Sequence, residues 1–214
     1  MWFGKKDGLN KYDGYKFIVY KYEATNENSL SNNTIQDIAK DAESNLWIAT
    51  WGGGVNMFDW RKEKITRYLY NANDPYSIGR NHVTKVFLDS ERNLWIGTEG
   101  GGLNLFDKPN NRFIHYLTDK NDPKNLTKDR VIDIMEDATH NLWIGTNGGG
   151  LILFDRKTKT FRQILHDDNN KNSLSSNIIL KVFIDSKDRL WIGTGVEGLN
   201  LLDREKQASR SVMR

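Results

Sequence analysis

A chain of 214 residues is within the size of a single domain, and its seven Trp, eight Tyr and nine Phe supply enough apolar surface for a packed core, which excludes disorder throughout. The formal net charge of +3 arises from 31 Lys and Arg interspersed with 28 Asp and Glu. That mixture is typical of a solvated surface and argues against a nucleic-acid partner. Because the chain has no Cys, disulfides, thiolate nucleophiles and cysteine metal sites are excluded.

The N-terminal segment, MWFGKKDGLNKYDG, lacks the apolar core and the small-residue cleavage site of a signal peptide. No stretch of the chain approaches the roughly 18 apolar residues that a membrane-spanning helix requires. The sequence therefore predicts no direct membrane contact in this segment.

One phrase occurs five times along the chain. Its copies contain Trp2 (MWFGKKDGLNKYD), Trp47 (LWIATWGGGVNMFD), Trp95 (LWIGTEGGGLNLFD), Trp143 (LWIGTNGGGLILFD) and Trp191 (LWIGTGVEGLNLLD). The tryptophans are separated by 45, 48, 48 and 48 residues, and a fixed spacing in this range is typical of β-propeller blades. The sequence predicts an all-β fold, a β-propeller of four-stranded antiparallel blades with about four to five repeats, over residues 1–204.

Each repeat has a short apolar period and no helical stripe, which favours strands. The third repeat predicts strands VTKVFLD from Val83, LWIGT, LNLFD and FIHYL from Phe113 to Leu117. Alternation places Val83 and Phe87 on one face of the first strand and Val86 and Leu88 on the other, and apolar residues on both faces indicate an innermost strand covered on each side. Polar loops starting at Asn26, Asn73, Asn121 and Asn169 are predicted to connect the blades.

The two ends of the array are expected to be incomplete. Successive repeats predict three, four, four, four and three strands, and residues 205–214 are predicted to form a disordered tail because they lack the pattern. Unpaired strand edges and apolar blade faces in water favour association. We therefore expect self-association through the terminal blades or an end-to-end clasp in preference to an open fan.

A charged residue interrupts the first strand of four repeats at the same position. The residues alternate in sign: Asp37, Lys85, Asp133 and Lys181. One interpretation is that opposite charges meet between neighbouring blades near a central channel; the alternative is that they are independent, solvated side chains at a strand end.

No one group of residues in the sequence has the pattern of a catalytic or metal-binding site. The glycine runs at 52–54, 100–102 and 148–150 recur in three of the five units and favour turns over a phosphate site. The histidines have no metal spacing and occupy unrelated repeat positions: His82, His115, His140 and His166. The recurrent Asp59, Asp107, Asp155 and Asp203 indicate strand ends, and Lys171 and a missing glycine argue against calcium in DDNNKNS. We predict no catalytic residues, no metal and no cofactor.

The position that follows each LWIGT strand varies from one repeat to the next. It holds Trp51, Glu99, Asn147 and Gly195, and variable loop residues on a rigid scaffold can form a binding face. We predict Trp51, Glu99 and Asn147 as candidate ligand-binding residues. The alternative is that they are exposed surface side chains without a binding role. The repeated tryptophans, by contrast, are predicted to pack between blades, although tryptophan can also stack on sugars.

The phrase LWIGTxGGGLNLFD, with an Asp six residues before its Trp, resembles the two-component regulator propeller repeat. It lacks the Gly-His and Trp-Asp signatures of WD40 repeats. The resemblance implies the extracytoplasmic, periplasmic sensor region of a bacterial hybrid histidine kinase, often one that regulates polysaccharide utilisation. Such sensors usually have seven-bladed propellers followed by further domains, so the resemblance also implies that the chain is a piece of a longer sensor.

We therefore predict a non-catalytic sensor segment that binds an oligosaccharide ligand. Two other classes remain open: a propeller enzyme of the lyase or glycosidase type, and a structural module for protein–protein assembly. An enzyme predicts carboxylate, His or Tyr side chains clustered in one or two blades, whereas pure assembly predicts a large apolar contact between chains and no small-molecule pocket.

Overall fold

The fold was analysed in a computed structural model, which describes residues 1–116, 130–196 and 198–203 and the backbone of 208–213. The chain divides into two compact units, Met1–Thr127 and Lys128–Arg214. The described residues form antiparallel sheets, which we number as blades 1 to 5 in chain order. Blades 1 to 3 belong to the first unit and blades 4 and 5 to the second.

The strands of the first unit follow the predicted repeats. Blade 1 comprises β1 (Trp2–Lys5), β2 (Gly8–Tyr12) and β3 (Phe17–Tyr20). Blade 2 comprises β4 (Ile35–Lys40), β5 (Leu46–Thr50), β6 (Val55–Asp59) and β7 (Lys64–Tyr68). Blade 3 comprises β8 (Val83–Leu88), β9 (Leu94–Thr98), β10 (Leu103–Asp107), a 3-10 helix at Lys108–Asn110, and β11 (Arg112–Tyr116). Among the described residues, no helix is long and apolar enough to cross a lipid bilayer.

The second unit repeats the same arrangement. Blade 4 comprises β12 (Arg130–Glu136), β13 (Leu142–Asn147), β14 (Leu151–Asp155) and β15 (Thr160–Ile164). Blade 5 comprises β16 (Ile179–Ile184), β17 (Leu190–Thr194), β18 (Leu199–Asp203) and β19 (Ala208–Met213). The predicted connector from Asn121, and Leu117 at the end of the predicted FIHYL strand, lie outside the described residues.

The last blade differs from the prediction at its end. Residues 208–213 form β19, which pairs antiparallel with β18, so blade 5 has four strands where three were expected. The prediction of a disordered tail is therefore wrong for Ala208–Met213. Backbone hydrogen bonding explains the difference, because a fourth strand satisfies the open edge of β18 without needing the apolar pattern by which the other strands were recognised.

The first strand of each four-stranded blade contains a β-bulge. Its register shifts between Ile35 and Asp37 in β4, between Val83 and Lys85 in β8, and at the matching places in β12 and β16. A bulge inserts one residue into the pairing, so side chains three apart face the same way. Val83 and Val86 consequently share one cluster with Trp47 of blade 2, and the predicted placement of Val86 on the face opposite Val83 is wrong.

Within each unit, apolar contacts hold successive blades together. In the first unit, Trp47, Ala49 and Val55 of blade 2 cluster with residues of blade 3 that include Phe106 and Phe113. In the second unit, Trp143 and Leu151 of blade 4 cluster with Ile179, Val182 and Ile192 of blade 5. A blade therefore presents two apolar faces, which explains the weak alternation of the sequence.

Each of the four later tryptophans is fixed by the aspartate six residues before it. The indole nitrogens of Trp47, Trp95, Trp143 and Trp191 donate to Asp41, Asp89, Asp137 and Asp185 at 3.0, 2.8, 2.8 and 2.8 Å. The same carboxylates accept backbone N–H groups from the following turn, as Asp137 does from Thr139 and Asn141. Because a buried indole N–H needs an acceptor, this contact links the turn to the core of the blade.

The Asp185 carboxylate should make the stability of blade 5 dependent on pH in acid. The indole N–H of Trp191 holds the pKa of Asp185 well below its usual value of 3.8; burial acts in the opposite direction, and hydrogen bonds from Arg189 add to the lowering. A carboxyl whose pKa is lower in the folded state stabilises the fold fully above the unfolded pKa and loses that contribution as the pH falls through the folded pKa. We expect the stability difference between wild type and Asp185→Asn to be constant above about pH 5 and to shrink below about pH 4.

Urea unfolding of both proteins across this pH range, followed by circular dichroism, measures that difference. A gap of the same size at every pH would show that the ionisation of Asp185 does not stabilise the fold.

Candidate functional site

The predicted ligand-binding residues of the first unit are positioned by their backbones. Trp51 N donates to Thr34 O at 2.9 Å, and Glu99 N donates to His82 O at 2.9 Å. In the second unit Gly195 N donates to Ile178 O at 2.9 Å, and Asn147, an exposed residue, forms a bridge with Ile178. Since these contacts use main-chain atoms, the side chain at this position can change without altering the blade.

Trp51 stacks on a histidine that sequence reasoning did not select. The indole of Trp51 and the imidazole of His82 lie 4.6 Å apart between ring centroids at an interplanar angle of 29°. The two residues also form a backbone bridge between blades 2 and 3. His82 is exposed and Trp51 is half-buried, so the pair presents aromatic surface to solvent.

The glycine turn brings a third polar group to this pair. A Cβ built on Gly52 would lie 3.6 Å from His82 Nε2 and 3.9 Å from Asn32 Nδ2, so both nitrogens lie close to the glycine. We call Asn32, Trp51 and His82 the Trp51 cluster. An indole face, an imidazole and an amide can stack on a ring and exchange hydrogen bonds with hydroxyl groups.

The glycine loop that follows Trp51 is fixed by backbone hydrogen bonds. Gly52 N and Gly54 N donate to Asn81 O at 3.1 and 2.9 Å, and Asn81 Oδ1 accepts from Tyr70 N at 2.7 Å. Gly54 has φ +68°, and a Cβ there would collide with the carbonyl oxygen of Tyr68. The glycine run is therefore required by the turn, which leaves Trp51 as its chemically distinctive residue.

The charged residues of the first strands meet in pairs within each unit. Lys85 Nζ lies 3.0 Å from Asp37 Oδ2, and Lys181 Nζ lies 2.9 Å from Asp133 Oδ2. Each aspartate also accepts a backbone N–H from the next blade, Val86 N at 3.2 Å and Val182 N at 3.0 Å. These aspartates thus link neighbouring blades twice, which is a structural role.

A cleft lies at the other end of β5, away from Trp51. It is a cleft of about 530 Å³ between the turns of blades 2 and 3, and its lining includes Trp47, Tyr68 and Phe106. Lys108 and Glu43 form an ion pair of 2.7 Å between these turns. Sequence reasoning missed this cleft because it depends on the 3-10 helix of blade 3, which no other described blade contains.

The other histidines are engaged locally and apart from the Trp51 cluster. His115 Nε2 lies 2.7 Å from Ser77 O, His140 Nδ1 lies 3.1 Å from Glu136 Oε1, and His166 Nε2 lies 2.9 Å from Asp168 Oδ1. Within the part of the chain that the structure describes, no group of three His, Asp or Glu side chains is arranged to hold a metal ion.

Comparison with protein families assigns the repeat. The two-component regulator propeller family matches residues 29–52, 77–100, 125–148 and 173–195. The chain therefore contains four two-component regulator propeller repeats. Each matched segment ends at the variable position or one residue beyond it, so Trp51 lies at the end of the first matched segment. No curated protein sequence matches the chain.

Solved structures confirm the predicted all-β propeller fold. The extracellular domain of BT3049 from B. thetaiotaomicron, assigned as a hybrid two-component system, is 26% identical with a TM-score of 0.84 over 99% of this chain and 28% of its own. The extracellular domain of BT4673 from the same organism, also assigned as a hybrid two-component system, is 25% identical with a TM-score of 0.76 over 94% of this chain and 25% of its own. The chain therefore spans about a quarter of the length of these structures.

An enzyme shares the fold at lower identity. Catalytically inactive virginiamycin B lyase from Staphylococcus aureus, solved with quinupristin, is 10% identical with a TM-score of 0.64 over 94% of this chain and 61% of its own. At this identity the similarity concerns the fold alone.

Proposed function

We propose that this chain is the ligand-sensing part of a two-component signalling regulator, that it acts outside the cytoplasm, and that it binds a carbohydrate without transforming it. The four repeats that match the two-component regulator propeller family support a sensor role. The similar structures are extracellular domains of proteins assigned as hybrid two-component systems, which supports the location.

The observation that carries the carbohydrate proposal is the stacked, solvent-facing pair of Trp51 and His82. Aromatic faces contact the apolar faces of sugar rings, while neighbouring amide and imidazole nitrogens can bond their hydroxyls. Trp51 occurs at this repeat position in one blade only, since Glu99, Asn147 and Gly195 occupy the others. A ligand would therefore find one such platform on a repetitive scaffold.

A binding role suits this cluster better than catalysis. General acid–base chemistry on a sugar needs two titratable groups placed across the reacting bond. The side-chain nitrogens nearest to Gly52 belong to one imidazole and one amide. The similarity to a lyase concerns the fold and supplies no reason to assign its chemistry here.

Isothermal titration of the chain with neutral and acidic oligosaccharides tests the proposal. We expect at least one saccharide to bind, to raise the melting temperature as a ligand of the folded state must, and to lose about tenfold or more in affinity with Trp51→Ala, which corresponds to the loss of roughly 1.4 kcal/mol.

Tyr15→Ala is the control because it removes an exposed aromatic side chain outside the predicted ligand-binding positions. It should bind as wild type does. Equal affinity in wild type and Trp51→Ala would exclude the Trp51 cluster as the site, and no binding by any saccharide would contradict the carbohydrate proposal.

A further inference from the structure

A second aromatic side chain is exposed at the end of blade 2 that carries the Trp51 cluster. Tyr70 follows β7 by two residues and is 38% exposed. Strands β5 and β7 both run antiparallel to β6, so they end at the same edge of the sheet, where Trp51 follows β5. Tyr70 and Trp51 therefore belong to one surface, and both lie within the first compact unit.

Asn81 connects this tyrosine to the glycine turn. Asn81 Oδ1 accepts a hydrogen bond from Tyr70 N at 2.7 Å, and Asn81 O accepts one from Gly52 N at 3.1 Å. Gly52 directly follows Trp51, so a single residue holds the backbone beside both aromatic side chains. The spacing between Trp51 and Tyr70 is therefore set by hydrogen bonds of the scaffold.

An arginine covers the ring of Tyr70. The guanidinium carbon of Arg80 lies 4.9 Å from the centroid of the Tyr70 ring. Arg80 and His82 flank Asn81 in the chain, so their Cα atoms are at most about 7 Å apart. A cation and a tyrosine thus lie next to the stacked pair of Trp51 and His82. We call Tyr70 and Arg80 the Tyr70 pair.

Arg80 differs from two other arginines that lie over tyrosine rings in how its guanidinium is used. Arg67 donates to the carbonyl oxygens of two connector residues at 2.9 and 2.7 Å, and Arg112 pairs with Asp107 at 2.9 Å. Arg80 donates to Gly79 O at 3.2 Å, and no carboxylate within the described part of the chain pairs with it. Because a guanidinium has five N–H donors and Arg80 is exposed, most of these donors can reach a ligand.

We propose that the Tyr70 pair forms a second subsite beside the Trp51 cluster, and that the ligand is an acidic oligosaccharide whose carboxylate or sulfate group is bound by Arg80. This inference rests on the proposed carbohydrate function. A planar guanidinium binds oxyanions through paired hydrogen bonds, as it does carboxylates. The exposed part of the Tyr70 ring packs on the sugar that carries the acid, and Trp51 stacks on a neighbouring sugar.

The second subsite adds a preference for charge that the Trp51 cluster does not supply. The amide of Asn32 is neutral, and the imidazole of His82 is charged only when it is protonated. Arg80 keeps its positive charge at every pH at which the protein folds. The two subsites together therefore favour a ligand that has at least two sugar rings and one permanently anionic group.

Titration calorimetry of the full chain with matched saccharides tests the second subsite. The probes are trigalacturonate and its methyl ester, and a carrageenan tetrasaccharide and its desulfated form, so each acidic probe has a neutral counterpart of the same length. Wild type should bind at least one acidic probe about fivefold or more tightly than its neutral counterpart. Added salt should reduce this preference because it screens the charge of Arg80.

Two variants separate the charge from the stacking surface. Arg80→Gln should bind the acidic probe only as tightly as the neutral one and should leave the affinity for the neutral probe unchanged. Tyr70→Ala should weaken both forms by about threefold or more, since the stacking surface does not depend on charge. Lys64→Gln is the control for Arg80→Gln because it removes one positive charge from an exposed residue at the opposite end of β7. It should bind both forms as wild type does.

Tyr70 and Arg80 are exposed, so the circular dichroism spectra and melting temperatures of the variants should match wild type. Equal binding of acidic and neutral forms, or an Arg80→Gln variant that keeps the preference for the acidic form, would overturn the second subsite and leave the carbohydrate function in place. Unchanged affinity in Tyr70→Ala would exclude its ring from the site. No binding by any probe would contradict the proposed function itself, and this inference with it.

Discussion

Replacing Trp143 with alanine should lower the free energy of unfolding by about 3–5 kcal/mol, the range for removal of a large buried aromatic side chain. Trp143 is 2% exposed and packs against Ile179, Val182 and Leu190 of blade 5. Its truncation also removes the 2.8 Å hydrogen bond to Asp137. A cavity and a weakened turn would therefore act together, and urea unfolding monitored by circular dichroism measures their sum.

Trp51→Ala is the natural control for this experiment. It makes the same chemical change at a half-exposed position beside His82, where the backbone holds the blade, so we expect a change within about 0.5 kcal/mol. Equal losses at Trp51 and Trp143 would contradict the assignment of the repeated tryptophans to the inter-blade core.

Gly145→Ala should destabilise the second unit by about 1–3 kcal/mol through overpacking. A Cβ at Gly145 would lie 2.7 Å from Cγ2 of Ile179 and 3.1 Å from Cγ2 of Val182, both in the following blade. Gly193 holds the same repeat position in blade 5, where the nearest atoms to a new Cβ belong to Lys181 at 3.6 Å or more. Gly193→Ala should therefore be close to neutral in the same unfolding assay.

A compensating substitution sharpens the test. In blade 2 this position is Ala49, and Val83 of blade 3, which holds the repeat position of Ile179, belongs to the same cluster. The smaller neighbour makes room for the extra methyl group, so Ile179→Val should restore part of the stability lost in Gly145→Ala. Additive losses in the double variant, or equal effects of alanine at Gly145 and Gly193, would argue against this complementarity.

Most of the fold could be predicted because each repeat contains the residues that define its own strands and turns. The constant spacing of Trp47, Trp95 and Trp143 fixes the blade length, and the glycine and Asn-rich turns mark the strand ends. The aspartate six residues before each tryptophan was part of the recognised phrase, although its hydrogen bond to the indole became evident only from the geometry. The constant six-residue separation between the aspartate and the tryptophan was the signal from which this hydrogen bond could have been predicted.

The features that were missed depend on contacts the sequence does not state. The β-bulge turns Val83 and Val86 to the same face, so a strict period of two misassigned the innermost strand. His82 is 31 residues from Trp51 and reaches it only because successive blades stack. The signal that could have found it is positional, since His82 immediately precedes the first strand of blade 3 beside the variable loop of blade 2.

The backbone bonding of the variable position has a consequence for how such proteins diverge. Trp51, Glu99 and Gly195 are all anchored by the same amide-to-carbonyl bond, whatever side chain they carry. Selection can therefore exchange an indole for an acid or for no side chain at all by changing one codon per repeat, while the stability of the sheet is left nearly untouched. Duplicated repeats of this kind supply spare positions on which new recognition chemistry can be tried without risking the scaffold.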